Sequence, residues 1–367
     1  MKKIFMIIIY ILFFMASSIA AFLNFSPQFG KNPSESQKEF YSTFDNYGDG
    51  EFKNIEETVM ITGEMPRGEF FKKKPGRKPV KDFSPDKINF NAFKSDDDYP
   101  IKFVWIGHSA FLFNIDGKLI MLDPMLGNYC APVPIPSLKR YQKDIALSID
   151  DIDSIDLVIF SHDHYDHLDY PTIKKIKNKV KNFFVPYGIG NHLKSWGVDE
   201  KVVSEFNWYD SKKIDNIDLV CLPSRHFSGR APNNRNSTLW ASWAIISEFG
   251  KIYFSGDGGY GNHFKDIGEK YGPFDLSLID TGQYNSAWKH SHMFPEQAVM
   301  AAQDLGSKYY MPIHWGAFTL STHHWTDPVE GAIFYAREYG QKVIAPRLGE
   351  VVILNNGYNE IFKWWNQ

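Results

Sequence analysis

Cysteine is nearly absent from this chain, with two residues in 367, Cys130 and Cys221. Two thiols make no disulfide framework, and neither stands in a Cys-x-x-Cys or zinc-ribbon spacing. They are expected as separate buried thiols, and any bound metal must be held by ligands other than sulfur. Charge of one sign is not in surplus either. Lys and Arg total 40 and Asp and Glu total 43, a formal charge of -3. That balance gives no electrostatic basis for a nucleic-acid partner. Repeats of solenoid length are missing, which excludes a stacked-repeat architecture. Very long apolar runs are missing too, with one exception.

The exception opens the chain. Lys2 and Lys3 precede the apolar run Ile4 to Ala16, followed by Ser17, Ser18, Ile19, Ala20 and Ala21. A positive start, an apolar stretch and small residues match a secretory signal. The stretch from Ile4 to Leu23 is also long enough to stay as one membrane-spanning helix, with the lysines holding its first end in the cytoplasm and the rest outside. Both readings imply export to the cell envelope, periplasmic or anchored by residues 1–23, and cleavage is left open. Residues 24–99 are polar and irregular, and read as an extended arm lying on the main domain. Within them, the basic, Pro-broken piece from Met65 to Lys81 reads as solvated surface, the alternative being contact with anionic lipid head groups.

Residues 100–367 form the main domain. Aromatic residues make up 16% of the chain, with 30 Phe and 10 Trp, enough for a large core and for an apolar substrate groove. Runs of strand length fall at 102–105, 110–115, 119–122, 157–160, 183–185, 202–206, 219–222, 240–247, 251–254, 275–279 and 309–313. Helical stretches fall at 171–180, 263–271, 295–305 and 329–339. This mixture predicts an α/β fold of sheets covered by helices.

The chemistry concentrates after the buried run Leu157 to Phe160, in Ser161-His-Asp-His-Tyr-Asp-His167. Three histidines and two aspartates within six positions at a strand end destabilise a fold unless something binds them. In such a turn His162 and His164 point the same way, while Asp166 and His167 reach a second point. Imidazole and carboxylate suit zinc, with manganese and iron as the other candidates. Three more polar residues each end an apolar run: His226, Asp257 and His314. Singly each reads as a loop residue; together with the cluster they read as further ligands.

His-x-His-x-Asp-His followed by single His, Asp and His residues resembles the metallo-β-lactamase superfamily. Flanking words narrow the resemblance: Trp105-Ile-Gly-His-Ser-Ala-Phe111, Leu122-Asp-Pro124, Leu239-Trp-Ala-Ser-Trp243, Gly272-Pro-Phe-Asp275, His292-Met-Phe-Pro-Glu-Gln-Ala298 and His314-Trp-Gly-Ala-Phe318. These resemble the branch of N-acylphosphatidylethanolamine-hydrolysing phospholipase D, from about Phe103 to His324. The resemblance implies an αββα sandwich of two mixed β-sheets covered by helices, with two zinc ions. It implies that His162, His164 and His226 hold one ion, that Asp166, His167 and His314 hold the other, and that Asp257 bridges them. A metal-bridging hydroxide would be the nucleophile. His292 is assigned phosphate binding or proton donation. Asp123 is expected to orient ligands, His108 to support the site without binding metal, and His290 to lie on the surface.

The sequence departs from the better-known animal members at Gly256-Asp-Gly-Gly259, where they tend to have Thr after the Asp, and at Ile279 to Tyr284, where theirs is more apolar. The resemblance implies that both stretches surround the substrate. The expected activity is zinc-dependent hydrolysis of N-acylphosphatidylethanolamine or a related phospholipid to phosphatidic acid and an alcohol, at a membrane surface. The alternative is a two-metal hydrolase of a different ester, a lactone or small soluble phosphodiester, because one fold hosts many chemistries. A structural-metal envelope protein is disfavoured, since structural zinc has a closed shell of four ligands.

Overall fold

The computed structural model describes residues 2–63, 65, 68–69, 72, 74–95, 100–354, 356, 358 and 361–366. Part of the basic piece 65–81 lies outside the described residues. The chain begins with α1 (Lys2–Phe25), whose segment Lys3–Leu23 has a mean hydropathy of 2.5 and none of it buried. By length and composition it is apolar enough to cross a membrane.

The segment after α1 is fastened to the domain. Trp196 Nε1 donates to the Pro27 carbonyl (2.6 Å), and Arg230 Nε and Nη2 donate to the Gln28 carbonyl (3.0 and 2.8 Å). The Lys31 amide donates to His192 Nδ1 (2.9 Å). The arm then forms α2 (Glu35–Tyr41), the hairpin β1 (Tyr47–Gly48) and β2 (Glu51–Phe52), and α3 (Phe90–Lys94). A capping box between Ser34 and Gln37 starts α2. Tyr41 and Phe52 enter the central core, and Ile88, Phe90 and Phe93 enter an outer one. The arm is thus packed and partly regular where the sequence suggested an irregular strap, because its few aromatics are spaced too widely to give a periodic signal.

The main domain adds β3 (Ile101–Gly107), β4 (Ala110–Ile115), β5 (Lys118–Leu122), β6 (Leu157–Ile159), α4 (Tyr170–Ile176), β7 (Phe183–Pro186), α5 (Ile189–Ser195), β8 (Val203–Phe206), β9 (Ser211–Ile214) and β10 (Ile217–Leu222). The second half adds β11 (Ser242–Ser247), β12 (Gly250–Phe254), α6 (His263–Tyr271), β13 (Leu276–Asp280), α7 (Pro295–Asp304), β14 (Tyr309–Ile313), α8 (Asp327–Glu338) and β15 (Val351–Ile353). One sheet runs β15-β3-β4-β5-β6-β7-β8 and the other β14-β13-β12-β11-β10-β9. Both are mixed. In the first, pairing turns parallel from β5 to β8; in the second, β12, β13 and β14 are parallel.

Alternation along the strands builds four layers. Phe103 and Trp105 face Trp243, Phe254 and Ile313 in a core between the sheets. Val104 and Ile106, one residue out of phase, pack outward with Ile173 and Leu193 of α4 and α5. Tyr253 and Ile279 pack outward with Phe264, Val299 and Ala332 of α6, α7 and α8. Strands covered on both faces read as unbroken apolar runs. The result is the expected αββα sandwich.

Element ends differ where another bond competes. The helix expected to reach residue 180 stops at Ile176, because Val180 bridges Ile155 in parallel and the chain must leave for the sheet. The strand expected from 240 starts at Ser242, because Trp240 instead sends its Nε1 to the Ser224 carbonyl (2.9 Å). Cys130 and Cys221 are both buried and free.

Gly30 has φ +74°, and a Cβ there would collide with the His192 ring. Gly30→Ala is expected to cost about 1–3 kcal/mol, read as a lowered Tm. Gly50→Ala, with φ +81° and open space around it, carries the backbone cost alone and is the control; equal losses would show that the His192 contact adds nothing.

Candidate metal centre

Every residue singled out as a ligand sits where a strand ends, and the strands end together. Ser161 to His167 follow β6, His226 follows β10, Asp257 follows β12 and His314 follows β14. Asp123 follows β5, Asp280 closes β13, and His108 lies in the turn between β3 and β4. The carboxyl ends of parallel strands are where open α/β sheets gather binding groups. The backbone there is forced. Asp123, His108, Gln283 and His314 have φ of +36°, +58°, +55° and +66°, a region that L-residues avoid. The antiparallel bridge of His108 and Trp315 sustains two of them: His108 N donates to Trp315 O (2.9 Å) and His314 N to His108 O (3.1 Å).

All seven expected ligands come together. His162, His164, His226 and Asp257 present donor atoms lying within 4.8 Å of one another, and Asp166, His167 and His314 form a second such group with His108. Asp257 joins them. Its Oδ2 is 3.1 and 3.2 Å from Nε2 of His167 and His314, and 3.7 and 3.9 Å from Nε2 of His162 and His226.

Which nitrogen each ring turns inward is set by the partner that its opposite nitrogen is committed to. Ser161 Oγ donates to Asp123 Oδ2 (2.5 Å), so the contact of 2.9 Å between that hydroxyl and His162 Nδ1 must use a proton on the ring. His167 Nδ1 donates to the same carboxylate oxygen (2.6 Å) and His226 Nδ1 to the Ser291 carbonyl (3.0 Å). Asp280 holds two rings at once, His314 Nδ1 on Oδ1 (3.2 Å) and His292 Nδ1 on Oδ2 (2.9 Å). Fixing one nitrogen by a hydrogen bond sets the tautomer and aims the other at a metal. His164 alone turns its Nδ1 inward, 2.8 Å from His162 Nε2 and 3.3 Å from His226 Nε2.

Burial and close neighbours act together on every titratable group in this cluster. Burial pushes His162 and His226 well below the ordinary imidazole range, which keeps their lone pairs free. Against the cost of burial, His167 holds Asp166 and Asp257 well below the usual carboxylate range. Burial also opposes a proton on His314, yet Asp257 and Asp280 raise it to about 10. The pocket therefore draws positive charge. His167 Nε2 and Asp257 Oδ1 are buried and have no hydrogen-bond partner among the described residues. Each costs about 1–3 kcal/mol if left unmet, and a bound cation meets both. Nitrogen and carboxylate donors at this spacing fit a metal pair.

The remaining expectations sort as follows. Asp123 lies behind His162 and His167, with both oxygens occupied by Ser161 and His167. His108 Nε2 donates to Asp166 Oδ2 (2.8 Å), and burial drives its pKa down to about 3, so it is a neutral donor to a carboxylate. His290 lies outside the cluster, with Nδ1 2.7 Å from Arg225 Nη2. Two residues that sequence reasoning passed over matter here. Asp280 ends the strand segment Leu276 to Asp280, the same position that flagged Asp257 and His314. Asn54 of the arm brackets His226: its Nδ2 donates to the His226 carbonyl (2.8 Å) and its Oδ1 accepts from the His226 amide (3.1 Å). No sequence signal marks an arm residue 172 positions away.

The cluster floors a cavity of about 330 Å³. Met60 and Ile61 of the arm, Phe227, Trp288 and Leu320 give it an apolar wall, and His164, Asp166, Asp257, His292 and His314 reach into it.

A four-layer sandwich with buried imidazoles and carboxylates at its strand ends is a metal-dependent hydrolase of the metallo-β-lactamase fold. Residues 119–315 match the beta-lactamase superfamily domain, and the chain belongs to that family. An uncharacterized protein of Mycobacterium tuberculosis is 36% identical over 329 residues, 87% of each chain. The N-acyl-phosphatidylethanolamine-hydrolyzing phospholipase D 1 of Caenorhabditis elegans is 34% identical over 231 residues, 59% of this chain and 64% of that protein. Among solved structures, the metallo hydrolase Igni18 of Ignicoccus hospitalis superposes with a TM-score of 0.51 at 24% identity, covering 69% of this chain and 97% of its own.

Because one amide oxygen can serve only one of two rings, Asp280→Asn is expected to weaken metal affinity by about 10- to 100-fold. Competition against a chromophoric chelator measures it. Unaltered affinity would mean that Asp280 does not aim these rings.

Proposed function

We propose that the chain is a zinc-dependent phosphodiesterase of phospholipase D type, acting on N-acylphosphatidylethanolamine or a related phospholipid. In this reading His162, His164 and His226 hold one zinc ion, Asp166, His167 and His314 hold the other, and Asp257 is shared. The observation that carries it is the placement of Asp257 Oδ2 within 4 Å of ring nitrogens from both sets. A shared carboxylate is what two neighbouring cations need to limit their repulsion. Bound metal ions supply Lewis acidity and a water acidic enough to attack near neutral pH.

The chain's own residues supply the rest. His292 projects into the cavity while Asp280 holds its Nδ1. As an imidazolium, His292 would turn its Nε2–H to a phosphate oxygen, or give that proton to the departing alcohol. Met60, Ile61, Phe227, Trp288 and Leu320 offer an apolar surface to acyl chains and keep water from the ester. The name of the nematode relative supports the lipid substrate. We extend the reading to location: α1 directs export to the cell envelope or anchors the chain there, with the catalytic domain working at a membrane surface.

Zinc-loaded protein given N-acylphosphatidylethanolamine in mixed micelles is expected to release phosphatidic acid and N-acylethanolamine, followed by mass spectrometry with His164→Ala as the blank. Turnover of a soluble ester without phosphatidic acid sinks the lipid reading. Metal analysis should return two ions per chain. Asp257→Asn should lower kcat by about 10²-fold or more, since one group serves both ions. Full activity of that variant refutes the shared ligand.

A further inference from the structure

Arg235 is the single Lys or Arg among the described residues that line the cavity over the metal centre. Its guanidinium carbon lies 4.7 Å from the centre of the Phe227 ring. Phe227 packs in turn against His164 (4.6 Å) and His226 (4.7 Å). One aromatic ring therefore separates a positive charge from two residues of the cluster.

Neighbouring arginines are spent on structure. Arg230 gives its donors to the carbonyls of Gln28, Asp163 and Leu168, Arg140 to those of Gly127 and Met125, and Arg225 to those of Tyr260 and Glu57. Arg235 is exposed, and among the described residues it makes no ion pair and no side-chain hydrogen bond. Stacking on a ring face holds a guanidinium in place without neutralising it, which leaves its planar fork of N–H donors for an anion. Met60, Ile61 and Leu320 supply apolar surface in the same cavity. Such a cavity suits an ester with an apolar body and a negative charge close to the bond that is cut.

We propose that Arg235 is a specificity-determining residue that takes a non-bridging phosphate oxygen of the substrate and so selects anionic phosphodiesters over neutral esters. This rests on the phosphodiesterase reading above. The contact forms in the bound substrate and persists through the reaction, so it acts on binding more than on bond cleavage.

The test uses the metal-loaded full chain and its variants Arg235→Gln and Arg235→Lys, with bis(p-nitrophenyl) phosphate as the anionic substrate and p-nitrophenyl acetate as the neutral one. For Arg235→Gln the ratio of kcat/KM, anionic over neutral, is expected to fall about tenfold, carried by KM. Arg235→Lys should recover part of the ratio. Raising the salt should lower the wild-type ratio more than that of Arg235→Gln, because the charge is exposed to screening. Calorimetric binding of diethyl phosphate reads the same contact without turnover, and its Kd should rise by a similar factor. An unaltered ratio, a loss carried by kcat, or an unaltered Kd for diethyl phosphate overturns the assignment. Should the wild type cleave the neutral ester and leave the phosphodiester intact, the phosphodiesterase reading fails, and the diethyl phosphate Kd still decides the role of Arg235.

Discussion

Imidazole nitrogens and negative charge converge on Asp257 Oδ2, and holding them there is the constraint around which the domain is organised. Buried imidazoles gain nothing from one another, and buried carboxylates avoid company. Their positions are enforced from behind. Asp123 with Ser161 fixes His162 and His167, Asp280 fixes His314 and His292, and the Ser291 carbonyl fixes His226. Asp123 and Asp280 stand at strand ends, and the rigidity of those strands holds the aim of the rings. The positive φ angles at His108, Asp123, Gln283 and His314 are the local cost of that aim, and two flanking helical layers over-determine the strands that carry them.

The sandwich follows from the same requirement. Four parallel strand ends from one sheet and three from the other have to meet at one edge, and each sheet supplies part of the donor set. A single sheet would spread those ends along a line, at about 4.8 Å per strand. Two sheets packed face to face fold that line over, so that residues after β6 meet residues after β10, β12 and β14. The core of Phe103, Trp105, Trp243, Phe254 and Ile313 therefore sets the spacing of the metal centre as well as the stability of the fold.

Residue types at strand ends were legible in the sequence because buried strands read as unbroken apolar runs and any polar residue ending one stands out. That logic found His162 to His167, His226, Asp257 and His314. It had the means to find Asp280, which ends Leu276 to Asp280 in the same manner, but carboxylates that orient ligands look the same as carboxylates that bind them. Asn54 was beyond reach. Its two bonds to the His226 backbone depend on where the arm is laid, and the arm is placed by scattered contacts such as Tyr41 and Phe52 in the core. Likewise β9, with its Ser-Lys-Lys-Ile sequence, carries no strand pattern, since an edge strand with exposed lysines is shaped by its partner β10 and by the avoidance of edge pairing.

The arm alters how the site should be understood. Asp163, between His162 and His164, accepts from the Gly229 amide (2.8 Å) and faces His192 Nε2 (3.3 Å). His192 Nδ1 accepts from the Lys31 amide, and Arg230 ties the carbonyls of Asp163 and Gln28 together. Residues 27–31 thus connect, through two side chains, the end of an apolar helix to the loop that carries His162, His164, Asp166 and His167. Met60 and Ile61 then wall the cavity and Asn54 braces His226. Specificity in a fold shared by many hydrolases has to come from what is laid over the strand ends. Here that covering is the arm and the loop carrying Phe227 and Arg235, so the part of the chain that sequence patterns describe least well is the part that walls the cavity over the cluster.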